Sequence, residues 1–160
     1  MQRFSNKRHV HHTADQMFDL VADVERYPEF VPLCESTRTR QRSTNPDGTE
    51  VVISEMTVSF KLVKETFATK VTLDHARRRI LVEYVSGPFS SLENRWTFEP
   101  SKNGGCDVGF FIAYEFKSRM LGLLMGSMFD TAFARMSSAF EKRADAIYGH
   151  KPVKPAVSSS

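Results

Sequence analysis

The chain has 160 residues, with Lys+Arg 22 against Asp+Glu 19 and a formal net charge of +3. Hydrophobic residues are 41% and charged residues 26%, a balance that excludes a disordered chain, a coiled coil and a collagen-like repeat. The length suits one domain whose core buries roughly 68–70% of the unfolded surface.

Two cysteines, Cys34 and Cys106, make neither a disulfide framework nor a zinc spacing, and read as small buried residues. The first residues carry no apolar run, so no secretory signal is expected. No stretch reaches the roughly 18–20 apolar residues of a membrane span. The expectation is a cytoplasmic protein with peripheral contact at the inner membrane.

In chain order, Arg3 to His12 reads as a strand. Thr13-Ala14-Asp15-Gln16 fits a capping box, and Met17, Leu20, Val21 and Val24 recur at helical spacing. Prolines at 28 and 32 limit the next segment to a second short helix over about 23–30. Leu33 to Ser43 is polar on both faces and suits an edge strand. Asn45-Pro46-Asp47-Gly48 is a turn. Period-two segments follow at 52–60 and 66–73, and 80–86 is apolar and β-branched. After Gly87-Pro88 come 92–98, a turn at 103–105, and 108–116. From Ser118 to Tyr148 the apolar residues switch to a helical stripe. That predicts one helix of about 45 Å, capped by Gly149. Residues 150–160 are expected to be disordered. The expected class is α+β: a strand, two short helices, six more strands, and a long helix closing the concave side of a curved antiparallel sheet.

No catalytic motif is present: no GxSxG, HExxH, Walker A loop or GxGxxG. His9, His11 and His12 cluster on the first strand but the sequence names no third metal ligand, so no metal site is expected. His75 reads as a turn residue, and Glu83 and Glu93 as solvated. The apolar inventory is unusual, with 13 Phe and 7 Met beside one Trp. Methionine suits adaptable apolar surfaces, and a sheet curved around a helix can leave a void. The inward parity of the strands and the helical stripe give the candidate tunnel lining: Val52, Ser54, Met56, Val58, Phe60, Phe67, Thr69, Val71, Tyr84, Asn94, Trp96, Phe98, Phe110, Tyr114, Met125, Met128, Phe129, Phe133 and Met136. Among these Ser54, Thr69, Asn94 and Tyr114 supply polar groups, and an inward Asn94 needs a partner.

Met120 to Phe129 is apolar nearly all round. Its Leu121, Leu123 and Leu124 read as a lip touching lipid or a partner, with Gly122 and Gly126 permitting close helix–sheet contact as the plainer reading. Arg38, Arg40 and Arg42 project from one strand face, and Arg77, Arg78 and Arg79 lie in a turn. They form a solvated face, or attract anionic lipid or RNA phosphates.

Tyr27-Pro28-Glu29-Phe30-Val31-Pro32-Leu33-Cys34 resembles the YPxFxPxC signature of the coenzyme Q-binding START-like family, within the polyketide cyclase/dehydrase-like helix-grip (START/Bet v 1-like) superfamily. Its signature positions here are Tyr27, Pro28, Phe30, Pro32 and Cys34. Gly87-Pro88-Phe89, Leu92 and Trp96-Thr97-Phe98 are similar to the family's GPFxxLxxxWxF segment, and Tyr114 to Ser118 to its ending. The resemblance covers about residues 1–149, taken as the domain. It implies a seven-stranded antiparallel sheet gripping a C-terminal helix around an apolar tunnel. It also implies non-catalytic binding of ubiquinone or a related isoprenoid lipid, a ligand and not a redox cofactor, in support of respiration. A close bacterial branch is instead a ribosome-association toxin that binds the large subunit, so the partners implied are lipid, membrane surface or ribosome, and no DNA. A cyclase-like enzyme would draw its acid or base from Tyr84 or Tyr114.

Overall fold

The computed structural model describes residues 1–149; the expected disordered tail lies outside the described residues. β1 (Gln2–Val10) leads into α1 (Ala14–Ala22). Its capping box forms as expected: Thr13 Oγ1 accepts from the Gln16 amide and Gln16 Oε1 from the Thr13 amide, both at 3.0 Å. A 3₁₀ turn (Val24–Glu29) carries Pro28. Then come β2 (Cys34–Thr44), β3 (Glu50–Phe60), β4 (Val63–Asp74), β5 (Arg79–Ser86), β6 (Phe89–Pro100) and β7 (Cys106–Phe116). The seven strands form one antiparallel sheet in the order β1-β7-β6-β5-β4-β3-β2. Each of β2 to β7 therefore pairs with its chain neighbour, and β1 pairs with β7, which leaves β1 and β2 as the two edges of the sheet.

The predicted single C-terminal helix is two: α2 (Arg119–Ala134) and α3 (Met136–Tyr148), with Arg135 between them. No proline or glycine marks the break, and the apolar stripe runs across it, which is why periodicity alone reads one helix. The start of α3 is tied to β1 by Ser137 Oγ, which donates to Asn6 Oδ1 at 3.0 Å. Its later turns are tied by Arg8 to Glu141 at 2.6 Å and by Arg143 to Glu29. Gly149 caps α3 at φ 109°, in the glycine-favoured region.

The core lies between the sheet's inner face and the three helices. Phe18, Phe89, Phe98, Phe140 and Tyr114 are among its largest fully buried side chains. β-bulges interrupt β2 between Cys34 and Ser36 and between Thr39 and Gln41. A bulge moves every later side chain to the opposite face. Arg38 pairs with Glu55, whereas Arg42 pairs with Val52, an inward position. The three arginines of this strand thus do not share one face, contrary to the plain alternation of the sequence.

Candidate functional site

A cavity of about 120 Å³ lies between the sheet and the helices. Twelve of the predicted residues line it: Ser54, Met56 and Val58 of β3; Phe67, Thr69 and Val71 of β4; Asn94 and Trp96 of β6; Phe110 of β7; Phe129 and Phe133 of α2; and Met136 of α3. The sequence pattern missed Leu33, Ile80, Val82, Leu92, Ile112, Ala132 and Phe140, among others. Several of these are aliphatic positions on the same strands, and the alternation that found their neighbours reaches them too.

Seven predicted lining residues stand elsewhere. Phe60 sits at the β3–β4 hairpin tip, 37% exposed. Val52 is buried in the core outside the cavity wall. Phe98 turns toward α1 and meets the Phe18 ring edge-on at 5.7 Å. Tyr84 packs on Phe89 at 5.8 Å, and its hydroxyl accepts from the Phe89 amide. Tyr114 lies in an aromatic cluster with Phe89, Phe116, Phe129 and Phe133, at ring separations of 5.3–6.0 Å. Met125 is buried and Met128 half-buried in the core around α2, away from the cavity. Packed aromatics therefore fill ground expected to be hollow, and the cavity is smaller than the roughly 300–1,000 Å³ of typical ligand sites.

The lining is almost wholly apolar. Asn94 meets its needs internally: Nδ2 donates to the Phe111 carbonyl at 2.9 Å, and Oδ1 accepts from Trp96 Nε1 at 3.0 Å. The Tyr27 hydroxyl donates to the Val21 carbonyl, and burial holds it protonated, well above the usual tyrosine range. Ser54 and Thr69 stand opposite each other in the β3–β4 register, are 5% and 7% exposed, and both line the cavity. Among the described residues no carboxylate, histidine, lysine or thiol lines the cavity.

The signature residues build its wall. The Tyr27 and Phe30 rings both meet Phe140 of α3 edge-on, at 5.4 and 4.9 Å. Pro32 and Leu33 line the cavity, with Leu33 at φ 66°. Pro28 bends the 3₁₀ turn, and Cys34 is buried at the start of β2. Burial pushes the thiols of Cys34 and Cys106 up to about 11, so both are unreactive at neutral pH.

The lip is divided. Leu121 is half-buried against the core, while Leu123 and Leu124 are 80% and 56% exposed. Gly122 and Gly126 make no close contact with the sheet: a Cβ at Gly122 would meet only Phe116, at 3.8 Å, and one at Gly126 nothing. The β3–β4 tip, the β5–β6 turn and the start of α2 lie at one end of the sheet, because Ala68 pairs with Ser86 and Phe89 with Phe116. Leu62, Val85 and Met120 are exposed there too. Among the arginines, Arg40 pairs with Glu55, Arg77 with Asp74 and Arg78 with Asp15. Arg38, Arg42 and Arg79 have no carboxylate partner among the described residues. Glu83 and Glu93 face each other in register, and Glu93 is neutralised by Arg95 at 2.6 Å. His9 pairs with Asp107 and His75 with Glu50. Among the described residues no helix is long and apolar enough to cross a membrane.

The chain is 34% identical over 149 residues to the ribosome association toxin RatA of Vibrio cholerae, covering 93% of this chain and 99% of that one. It is 31% identical over 159 residues to the mitochondrial coenzyme Q-binding protein COQ10 homolog B of Xenopus laevis, covering 98% of this chain and 63% of that one. The solution structure of an 18 kDa protein of Caulobacter crescentus superposes with a TM-score of 0.76 at 35% identity, covering 93% and 99%. The sequence profile described as polyketide cyclase/dehydrase and lipid transport matches residues 10–141. With that match, the seven-stranded sheet and the helices it grips, the chain belongs to the polyketide cyclase/dehydrase and lipid transport family.

Proposed function

We propose that this protein binds an apolar lipid bearing one or two acceptor oxygens, of the isoprenoid quinone class, and carries it without catalysing a reaction on it. The observation that supports this reading is the Ser54–Thr69 pair: two hydroxyl side chains facing each other in register in an almost wholly apolar cavity wall. A hydroxyl at the wall of an apolar cavity gains from an acceptor placed there, and a quinone carbonyl is a matching acceptor. The tail supplies the affinity at roughly 0.8 kcal/mol per buried CH₂, so a few isoprene units reach micromolar binding. A long tail exceeds the present cavity, so uptake requires α2 to move outward. The exposed Leu62, Met120, Leu123 and Leu124, with Lys61, Lys117 and Arg119 beside them in sequence, suit exchange with an anionic bilayer. Support of respiratory electron transport is the physiological role this reading implies. Catalysis is not favoured, since Tyr84 and Tyr114 are engaged with the Phe89 amide and Asp130 and neither lines the cavity.

Trp96 is the sole tryptophan and lines the cavity, so its fluorescence is the assay. Titration with a short-chain ubiquinone should quench it saturably in the micromolar range, and organic extracts of the fresh protein should contain quinone. Thr69→Val should weaken binding about five- to tenfold by removing one donor. Extracts free of lipid together with no saturable quenching would refute the reading.

A second reading has its own support. The relative named for ribosome association matches over nearly its whole length, and Arg38, Arg42 and Arg79 have no carboxylate partner among the described residues, unlike Arg40, Arg77 and Arg78. Docking on ribosomal RNA predicts salt-sensitive co-sedimentation with large ribosomal subunits. Reversing Arg38 and Arg42 to glutamate should abolish it and leave Trp96 quenching unchanged; sedimentation unaffected by these reversals would refute it.

A further inference from the structure

The sequence gives the histidines of the β1–α1 corner no third ligand, but the fold brings one from 133 residues away. Asp145, in the last turn of α3, places Oδ1 at 2.7 Å from His12 Nε2 and 3.5 Å from His11 Nε2. One ligand atom from each of the three residues lies within 4.8 Å of the others. Around a tetrahedral zinc ion, ligand atoms stand about 3.3 Å apart, from metal–ligand distances near 2.0–2.1 Å. Two imidazole nitrogens and one carboxylate oxygen are the donor set of borderline divalent metals such as zinc and cobalt. The group is also held in place: His12 is 4% exposed, the two rings lie 4.5 Å apart, and Tyr148 covers His12 at 6.0 Å. The Asp145 and His11 side chains keep 20% and 32% of their exposure, which leaves the ion a way in and an open position for water.

We propose that His11, His12 and Asp145 form a binding site for a divalent transition-metal ion of the zinc type, at the corner where the end of α3 meets the β1–α1 connection. The site is separate from the cavity, whose lining includes none of the three residues. The ion replaces the His12–Asp145 hydrogen bond with two shorter bonds and adds His11 as third ligand. It clamps the C-terminal helix to the sheet, so binding is stabilisation. Because both imidazoles bind in their neutral form, affinity falls as pH falls.

The test uses the full chain stripped with a chelator and titrated with zinc chloride by calorimetry, with thermal unfolding in parallel. One equivalent should bind in the micromolar range or tighter. At about a hundredfold excess over Kd, Tm should rise by about 5–10 °C. Cobalt(II) should give ligand-field bands without a thiolate charge-transfer band, which separates this site from Cys34 and Cys106. His11→Ala keeps the His12–Asp145 bond, so the metal-free chain should still fold, while zinc affinity drops about tenfold or more and the zinc-dependent rise in Tm shrinks with it. Asp145→Asn should lose binding as well. Absence of a saturable one-to-one zinc isotherm overturns the proposal. So does His11→Ala binding as tightly as the parent, which would leave the cluster as a hydrogen-bonded anchor of α3.

Discussion

Ala132→Leu tests whether the interior is hollow. Ala132 is 7% exposed on α2 and lines the cavity. The substitution adds three carbons, and burying each is worth about 0.8 kcal/mol, so filling the void should stabilise the fold by about 2.4 kcal/mol. A second route gives a similar ceiling: a void of 120 Å³ at about 24 cal/mol per Å³ represents about 2.9 kcal/mol. Both residues are good helix formers, so α2 itself is little affected. At about 2–4 °C per kcal/mol for a chain of this size, Tm should rise by about 5–10 °C. The same variant should lose quinone-dependent quenching of Trp96, because the leucine occupies the ligand's space. In a filled core the added carbons would overpack it and cost about 1–3 kcal/mol. The sign of the change therefore decides the matter: a lowered Tm, measured by calorimetry or circular dichroism, would refute the hollow interior.

Tyr114→Phe removes the hydroxyl that donates to Asp130 Oδ1 at 2.9 Å and ties α2 to β7. A loss of about 1–2 kcal/mol is expected, read from urea midpoints at constant m-value. Gly87→Ala should cost at least about 2 kcal/mol, since φ is +140° and the new Cβ would lie 2.5 Å from that of Phe67, a cavity residue; a chemical-denaturation curve matching the parent would count against the turn described. The thiols of Cys34 and Cys106 titrate near 11 when folded because burial disfavours the thiolate. The folded state thus keeps protons that the unfolded chain releases near pH 8.5, and stability is present below that value and lost as pH rises toward 11. Cys34→Ala should flatten the fall of Tm between pH 9 and 11, and Ellman's reagent should label the native thiols far more slowly than the unfolded ones.

Strand alternation and helical spacing were enough to give the seven strands, the capping box and about half of the cavity wall, because those features depend on local period. What they left out depends on distance or on single-residue irregularity. The bulge at Thr39/Gln41 has no proline or glycine to announce it, so the arginines of β2 read as one face. The break at Arg135 lies inside an unbroken apolar stripe. Phe98 and Tyr114 have inward parity, yet which neighbour fills the space before them is decided by α1 and α2. Asp145 joins His11 and His12 only through the closing of the fold, and no spacing rule links residues so far apart.

The interruption at Arg135 separates two helices with unequal moorings. α3 is held by Asn6, Glu29, Arg8 and His12 through side chains spread along its length. Among the described residues α2 has one side-chain tie of this kind to the sheet, Tyr114 to Asp130, and otherwise rests on aromatic rings. Breathing of the shell should thus concentrate in residues 119–134, while the rest of the C-terminal rod keeps the architecture standing. Evolution can then retune how bulky a guest is admitted by altering one swinging panel, without touching the frame on which it hangs.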